Sequence, residues 1–217
     1  QLREAMDAIL DPTNPLNANI RAAVATAFQG LLRSAEYCGT TGNMMLLRSD
    51  IVHFVARVEF VVMMHPCKNM HHLTGKTCPL VIGAGGKYID AVAEIANMRR
   101  VDRLSPSEEG KAPLFRDPAT GKPLSYECIN TITKRFAEHL GLPFEECSTH
   151  TYRISGATAL FAAGGSEMLI RTMGRWSSDL HRLYVRCCYR TCARWGAKIG
   201  SADVSPDCEE VDELQYY

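Results

Sequence analysis

The sequence predicts a mainly helical protein with a small three-stranded antiparallel sheet, an α+β chain. Two observations carry this. Apolar residues recur at helical spacing on both sides of a central stretch, as in Ile20, Val24, Phe28 and Leu31. Within that stretch the runs turn β-branched and aromatic, at Ile51–Val55, Val58–Met64 and Thr77–Ile82. The chain has 217 residues, 46% of them hydrophobic and 22% charged, enough for one good-sized domain or two small ones.

Residues 1–10 read as the end of a helix, closed by Asp11-Pro12-Thr13-Asn14-Pro15. Ile20–Arg33 reads as an alanine-rich helix with Arg33 near its end and Glu36 one turn further on. On the residues alone, Arg33 and Glu36 form a surface i, i+3 ion pair worth a few tenths of a kcal/mol, roughly. Between the last two strands lies a polar turn, Pro66–Lys76, with Lys68 and Lys76 at its shoulders. His65, Cys67, His71, His72 and Cys78 cluster nearby but lack a recognised zinc-ligand spacing, and no metal is expected.

Gly83-Ala84-Gly85-Gly86-Lys87-Tyr88 has the glycines of a phosphate loop, but Tyr88 stands where a Ser or Thr would bind magnesium. It reads instead as a loop capping a helix over Tyr88–Met98. Residues Arg99–Pro123 read as a long surface connection holding a short ordered element at Leu114-Phe115 and a tight turn over Pro118–Pro123. Ser125 caps a helix through His139, which Gly141 and Pro143 end. A turn over Glu145–Ser148 leads to a helix over Thr151–Ala163, stopped by Gly164-Gly165. Ser166 caps the next, ending at Gly174. Ser177 and Ser178 open a further helix containing Tyr184, along which Arg182, Arg186, Arg190 and Arg194 form a basic stripe.

Charge and cysteine usage bound the setting. The net charge is zero, but six of the 24 acids, from Asp203 to Glu213, lie in a tail without Lys or Arg. The body therefore carries an excess of about six positive charges, compatible with a polyanion partner. The nine cysteines show no framework spacing and read as reduced thiols, placing the protein in the nucleus if eukaryotic and otherwise in the cytoplasm, not secreted. No apolar run approaches the roughly 20 residues of a membrane span, so no membrane partner is expected. The chain begins at Gln1 without a signal sequence and reads as a fragment or processed piece.

The chemistry concentrates between His150 and Tyr184. An imidazole and a guanidinium, His150 and Arg153, stand one helical turn apart, followed by the indole of Trp176 and the phenol of Tyr184. Fixed N–H donors of this kind suit a phosphate, whose charge the arginine neutralises. The residues point to a phosphoryl-transfer site with a tyrosine nucleophile.

Four blocks in order resemble the catalytic domain of tyrosine recombinases, the phage-type integrases. They are Gly30-Leu31-Leu32-Arg33-Ser34-Ala35-Glu36, the lysine hairpin, His150-Thr151-Tyr152-Arg153, and Met173-Gly174-Arg175-Trp176-Ser177-Ser178-Asp179 reaching Tyr184. The likeness runs from about Ile20 to Tyr189 and is greatest to versions in eukaryotic mobile elements, the DIRS-type retroelements and Cryptons. It implies the tyrosine recombinase catalytic-domain fold over 1–200, with 201–217 as an acidic tail. It also implies a function: cleaving and rejoining double-stranded DNA through a 3′-phosphotyrosyl intermediate, without metal or other cofactor.

By resemblance, Arg33 and Arg153 bind the scissile phosphate, with Glu36 supporting the site. Lys68, with Lys76 as fallback, protonates the leaving oxygen, His150 assists proton transfer, and Tyr184 attacks. Tyr189, Tyr216 and Tyr217 are competitors for that last role. Trp176 replaces the usual second histidine and can donate a hydrogen bond but not shuttle a proton. Family C-termini dock on neighbouring subunits, so a homo-oligomer, tetrameric in synapsis, is implied. The family's N-terminal DNA-clamping domain has no room in this chain. Two other readings of the same residues are a type IB topoisomerase and a DNA-binding or architectural domain of recombinase descent that has lost catalysis.

Overall fold

The computed structural model describes residues 1–39, 46–65 and 77–176. Eight α-helices and three strands fall in these segments: α1 (Leu2–Ile9), α2 (Pro15–Gln29), α3 (Ser34–Tyr37), β1 (Ile51–Val55), β2 (Glu59–Met64), β3 (Cys78–Gly83), α4 (Ala91–Val101), α5 (Pro106–Glu109), α6 (Tyr126–His139), α7 (Thr151–Ala162) and α8 (Glu167–Gly174). The strands form one antiparallel sheet in the order β1-β2-β3, the expected meander. Alternation in β2 and β3 turns Phe60, Val62, Met64, Leu80 and Ile82 into the core.

The helix at the centre is α2, and it differs from the expected Ile20–Arg33. It starts at Pro15, because Asn14 and Pro15 do not break the chain but begin the helix. The Asn14 side chain accepts from the Asn17 amide at 3.1 Å, and proline occupies the first turn, where its missing N–H has no partner to lose. Residues 18–27 are buried without interruption, so the helix is enclosed rather than one-faced. Five alanines among them let α4 and α7 approach closely. The helix ends at Gln29 because Leu31 turns left-handed, at φ 50°.

Beyond Tyr88 two further expectations are corrected. The helix begins at Ala91, since the Asp90 carboxylate caps it by accepting from the Ala93 amide at 3.0 Å. It also runs on to Val101. The expected surface connection Arg99–Pro123 is not all surface: Leu114 and Phe115 are core residues. They are held by a bridge between Leu47 and Pro113 and by the buried Asp102 carboxylate, which accepts from Asn19, Arg48 and Arg116. Ser125 caps α6 as expected, accepting from the Cys128 amide at 3.1 Å. Among the described residues, Cys38, Cys78, Cys128 and Cys147 are free thiols. No helix among them is long and apolar enough to cross a membrane.

Candidate active site

The site forms where the end of α2, the start of α7 and the end of α8 meet. Gly156 permits that approach, because a Cβ there would collide with the Phe28 carbonyl and the Leu31 side chain. Leu31, Ala157 and Ile170 make a small second core, with Leu160, Met173 and Trp176 packed against it.

Leu31 reverses the chain after α2, so Arg33 is not at that helix's end but at the N-cap of α3. The backbone amide of Arg33 donates to Glu36 Oε2 at 2.6 Å, and its Nη1 donates to Oε1 at 3.2 Å. This is no surface pair: the Glu36 side chain is only 6% exposed, against 21% for that of Arg33. Burial pushes the Glu36 carboxyl up, but Arg175, the Arg33 amide and the Arg33 guanidinium outweigh it and hold it below the usual carboxylate range. The next residue, Tyr37, donates from its hydroxyl to the Thr149 carbonyl at 3.0 Å, tying α3 to the segment that precedes His150.

His150 occupies the N-cap of α7 and Arg153 its first turn. Half-buried, His150 is pushed below its usual 6.5 by burial and then by the charges of Arg153 and Arg33. It is therefore neutral at pH 7 and can accept a proton. Arg153 is 1% exposed. Its Nη2 donates to the Gly174 carbonyl at 2.5 Å and its Nη1 to that of Leu31, while its guanidinium carbon lies 4.0 Å from the Trp176 ring centroid. Arg33 Nη2 donates to the next carbonyl along, that of Arg175, at 3.3 Å. Both arginines are thus anchored on consecutive carbonyls of one turn.

That turn carries a residue with no role in the sequence reading. Arg175 is left-handed at φ 54°, buried, and hydrogen-bonded through its guanidinium to Gly30, Leu31, Met173 and Glu36. Its only signal in the sequence is its place between Gly174 and Trp176, at the stop of α8.

The structure therefore brings together Arg33, Glu36, His150, Arg153 and Trp176. Trp176 meets Arg153 with the face of its ring. Lys68, its fallback Lys76, Tyr184 and its competitors Tyr189, Tyr216 and Tyr217 lie outside the described residues, as do the arginine stripe and the acidic tail. Two buried phenols can be set aside as nucleophiles. Burial raises Tyr37 and Tyr152 well above the usual tyrosine range, and the Tyr152 hydroxyl is 2.7 Å from Thr133 Oγ1. Of the cysteine and histidine cluster, His65 Nε2 pairs with Asp50 Oδ2 at 2.9 Å, and no group of three metal-ligating side chains occurs among the described residues.

Helices around a meander of this order make the catalytic-domain fold of tyrosine recombinases, and solved structures share it. The XerH site-specific recombinase, in a post-cleavage complex with palindromic difH substrate, aligns at a TM-score of 0.63 and 16% identity, over 93% of this chain and 50% of its own. XerA recombinase aligns at 0.65 and 14% identity, over 91% of this chain and 59% of its own. The Tn1549 transposon integrase in complex with transposon right end DNA aligns at 0.52 and 16%, over 84% and 58%. The chain thus spans between 50% and 59% of the length of these three proteins. No protein-family model and no curated protein matches the sequence, so the likeness is one of fold.

Proposed function

We propose that this protein cleaves and rejoins double-stranded DNA through a covalent phosphotyrosyl intermediate, in site-specific recombination or in the integration of a mobile element. The observation that carries the reading is the anchoring of Arg33 and Arg153 on consecutive carbonyls, beside the half-buried His150, in a fold shared with recombinases in complex with DNA.

In this mechanism the two guanidiniums bind the non-bridging oxygens of the scissile phosphate. They stabilise the charge that builds in the pentacoordinate transition state. Tyr184 Oη attacks phosphorus in line, forming the 3′-phosphotyrosyl bond as the bond to the 5′ oxygen breaks. Lys68 gives that oxygen its proton, and His150 assists proton removal at Tyr184. A 5′ hydroxyl from another strand reverses the step. Arginine supplies the cationic charge, so the reaction is expected to proceed in EDTA. The DIRS-type or Crypton affiliation, the nuclear setting and a synaptic tetramer belong to the same proposal.

One observation favours a second reading. Arg153 is 1% exposed and held by backbone carbonyls, as a purely structural arginine would be. A recombinase-descended DNA-binding domain without catalysis would keep it for the fold. A pool of nicked duplexes with a randomised central segment separates the readings. The proposed function predicts an SDS-resistant protein–DNA adduct that Tyr184→Phe abolishes. DNA binding without any adduct favours the architectural domain, and relaxation of supercoils without sequence preference favours a topoisomerase.

A further inference from the structure

Resting on the proposed function, we infer that Arg175 is a positioning residue that sets the placement of Arg33 relative to Arg153. It does so because its one guanidinium shares a hydrogen-bond acceptor with each of them.

Towards Arg153 the shared acceptor is the Leu31 carbonyl, which takes both Arg153 Nη1 and Arg175 Nη2, the latter at 3.3 Å. Towards Arg33 it is the Glu36 carboxylate. Oε2 accepts from Arg175 Nη2 at 2.8 Å and from the Arg33 amide at 2.6 Å, and Oε1 accepts from Arg33 Nη1 at 3.2 Å. The other terminal nitrogen, Arg175 Nη1, donates to the Gly30 and Met173 carbonyls at 3.2 and 2.8 Å. A single planar group therefore spans the turn after α2 and the end of α8. A flat fork with fixed donor directions does this; an ammonium, which is a point charge, cannot satisfy both sides.

The backbone on both sides of the brace is unusual. Among the described residues only three non-glycine residues have positive φ, Leu31, Arg57 and Arg175, and two of them meet here. A left-handed conformation without glycine costs about 1–3 kcal/mol at each position and persists only where its surroundings enforce it. Glycine at Arg175 would remove that cost at once, but it would also remove the guanidinium. The residue is thus explained by what its side chain holds rather than by the turn.

Two arginines that read the two non-bridging oxygens of one phosphate must be correctly spaced, and a displacement of about 1 Å can lower a rate on the order of a hundredfold. The spacing has a readout that folding alone does not move. In a scissile phosphorothioate, the Rp and Sp diastereomers set sulfur, a poor acceptor, against one arginine or the other. The ratio of their adduct-forming rates reports how each arginine meets its oxygen.

The test uses nicked duplexes recovered by covalent capture, remade as pure Rp and Sp phosphorothioates. For Arg175→Lys, adduct formation on the all-oxygen duplex is expected to fall between about tenfold and about a hundredfold. The Rp/Sp ratio is expected to shift by about fivefold or more, beyond any change in folded fraction read by thermal melting. Glu36→Gln keeps the carbonyl bonds of Arg175 but weakens the link to Arg33. It is expected to shift the ratio chiefly through the diastereomer that Arg33 meets, so the test stands even if Arg175→Lys does not fold. A wild-type ratio in Glu36→Gln, or in folded Arg175→Lys, would overturn the positioning role while leaving the proposed function intact. Absence of any adduct from the wild-type protein would instead sink the proposed function, and this inference with it.

Discussion

Two sets of buried and half-buried arginines lie in this protein, and their guanidiniums meet different kinds of partner. Around Asp102 the partners are mainly carboxylates, with the Asp102 backbone carbonyl also accepting from Arg48 Nη1 at 3.0 Å. Arg116 forks onto Asp102 at 3.0 and 2.5 Å, and Arg48 reaches Asp102 at 2.5 Å and Glu109 at 3.0 Å. Around Leu31 the partners among the described residues are largely backbone carbonyls, those of Gly30, Leu31, Met173, Gly174 and Arg175, together with the Glu36 carboxylate. Carbonyl dipoles satisfy N–H groups without cancelling a formal charge. The first arrangement neutralises itself and staples the Leu47–Asp50 segment, α4 and the Leu114–Arg116 segment to the core. The second sets the guanidiniums of Arg33, Arg153 and Arg175 together around Leu31, at the corner where the proposed function puts the phosphate.

The contrast breaks most sharply in stability. Asp102→Ala takes its carboxylate from the buried Arg48 and the half-buried Arg116, and removing one partner of a buried pair costs about 3–5 kcal/mol. Urea unfolding should show that loss, while the folded fraction keeps its rate of adduct formation. Arg153→Lys should do the reverse in the assay that matters: cleavage falls on the order of 10²–10³, as for loss of one donor to a transition-state oxyanion. Comparable slowing in folded Asp102→Ala would erase the distinction between the two sets.

A smaller effect is expected at the indole. Trp176→Ala removes the ring face from Arg153, a contact worth up to about 2 kcal/mol when desolvated. Trp176→Phe keeps a ring there and should retain most of the stability, as differential melting of the two variants would show.

The mildest prediction concerns pH. His150 titrates below its usual 6.5 in the fold, so the unfolded chain binds the proton first as pH falls. Its contribution to stability is therefore present above 6.5 and is lost as pH drops through the lower, folded value. Glu36 behaves likewise below 4.5 and Asp102 below 3.8. Urea midpoints measured across pH should lose the near-6.5 part of that slope in His150→Gln and keep the acid part.

How much of this was legible depended on whether the cause was local. The three strands declared themselves by β-branched runs, and α6 by Ser125 at one end and Gly141 at the other. Leu114-Phe115 did not reveal its burial, since two apolar residues have no periodicity and the bridge to Leu47 comes from a distant segment. The beginning of α2 was misread because proline stops a helix from within but opens one at its first turn. At the site, Arg33, Glu36, His150 and Arg153 stood out through the order of their blocks, although the burial of Glu36 was invisible at i, i+3 spacing. Arg175 stayed hidden because its partners are mostly carbonyls, which every residue possesses and no sequence pattern marks.

The central claim is that this corner holds a phosphate for attack by Tyr184, and mapping the protein–DNA adduct tests it most directly. After nuclease and trypsin digestion, mass spectrometry should find the nucleotide on the peptide Leu183-Tyr184-Val185-Arg186. Its presence on Cys187-Cys188-Tyr189-Arg190 or at the terminal tyrosines, or the failure of any adduct to form on bound DNA, would contradict the account.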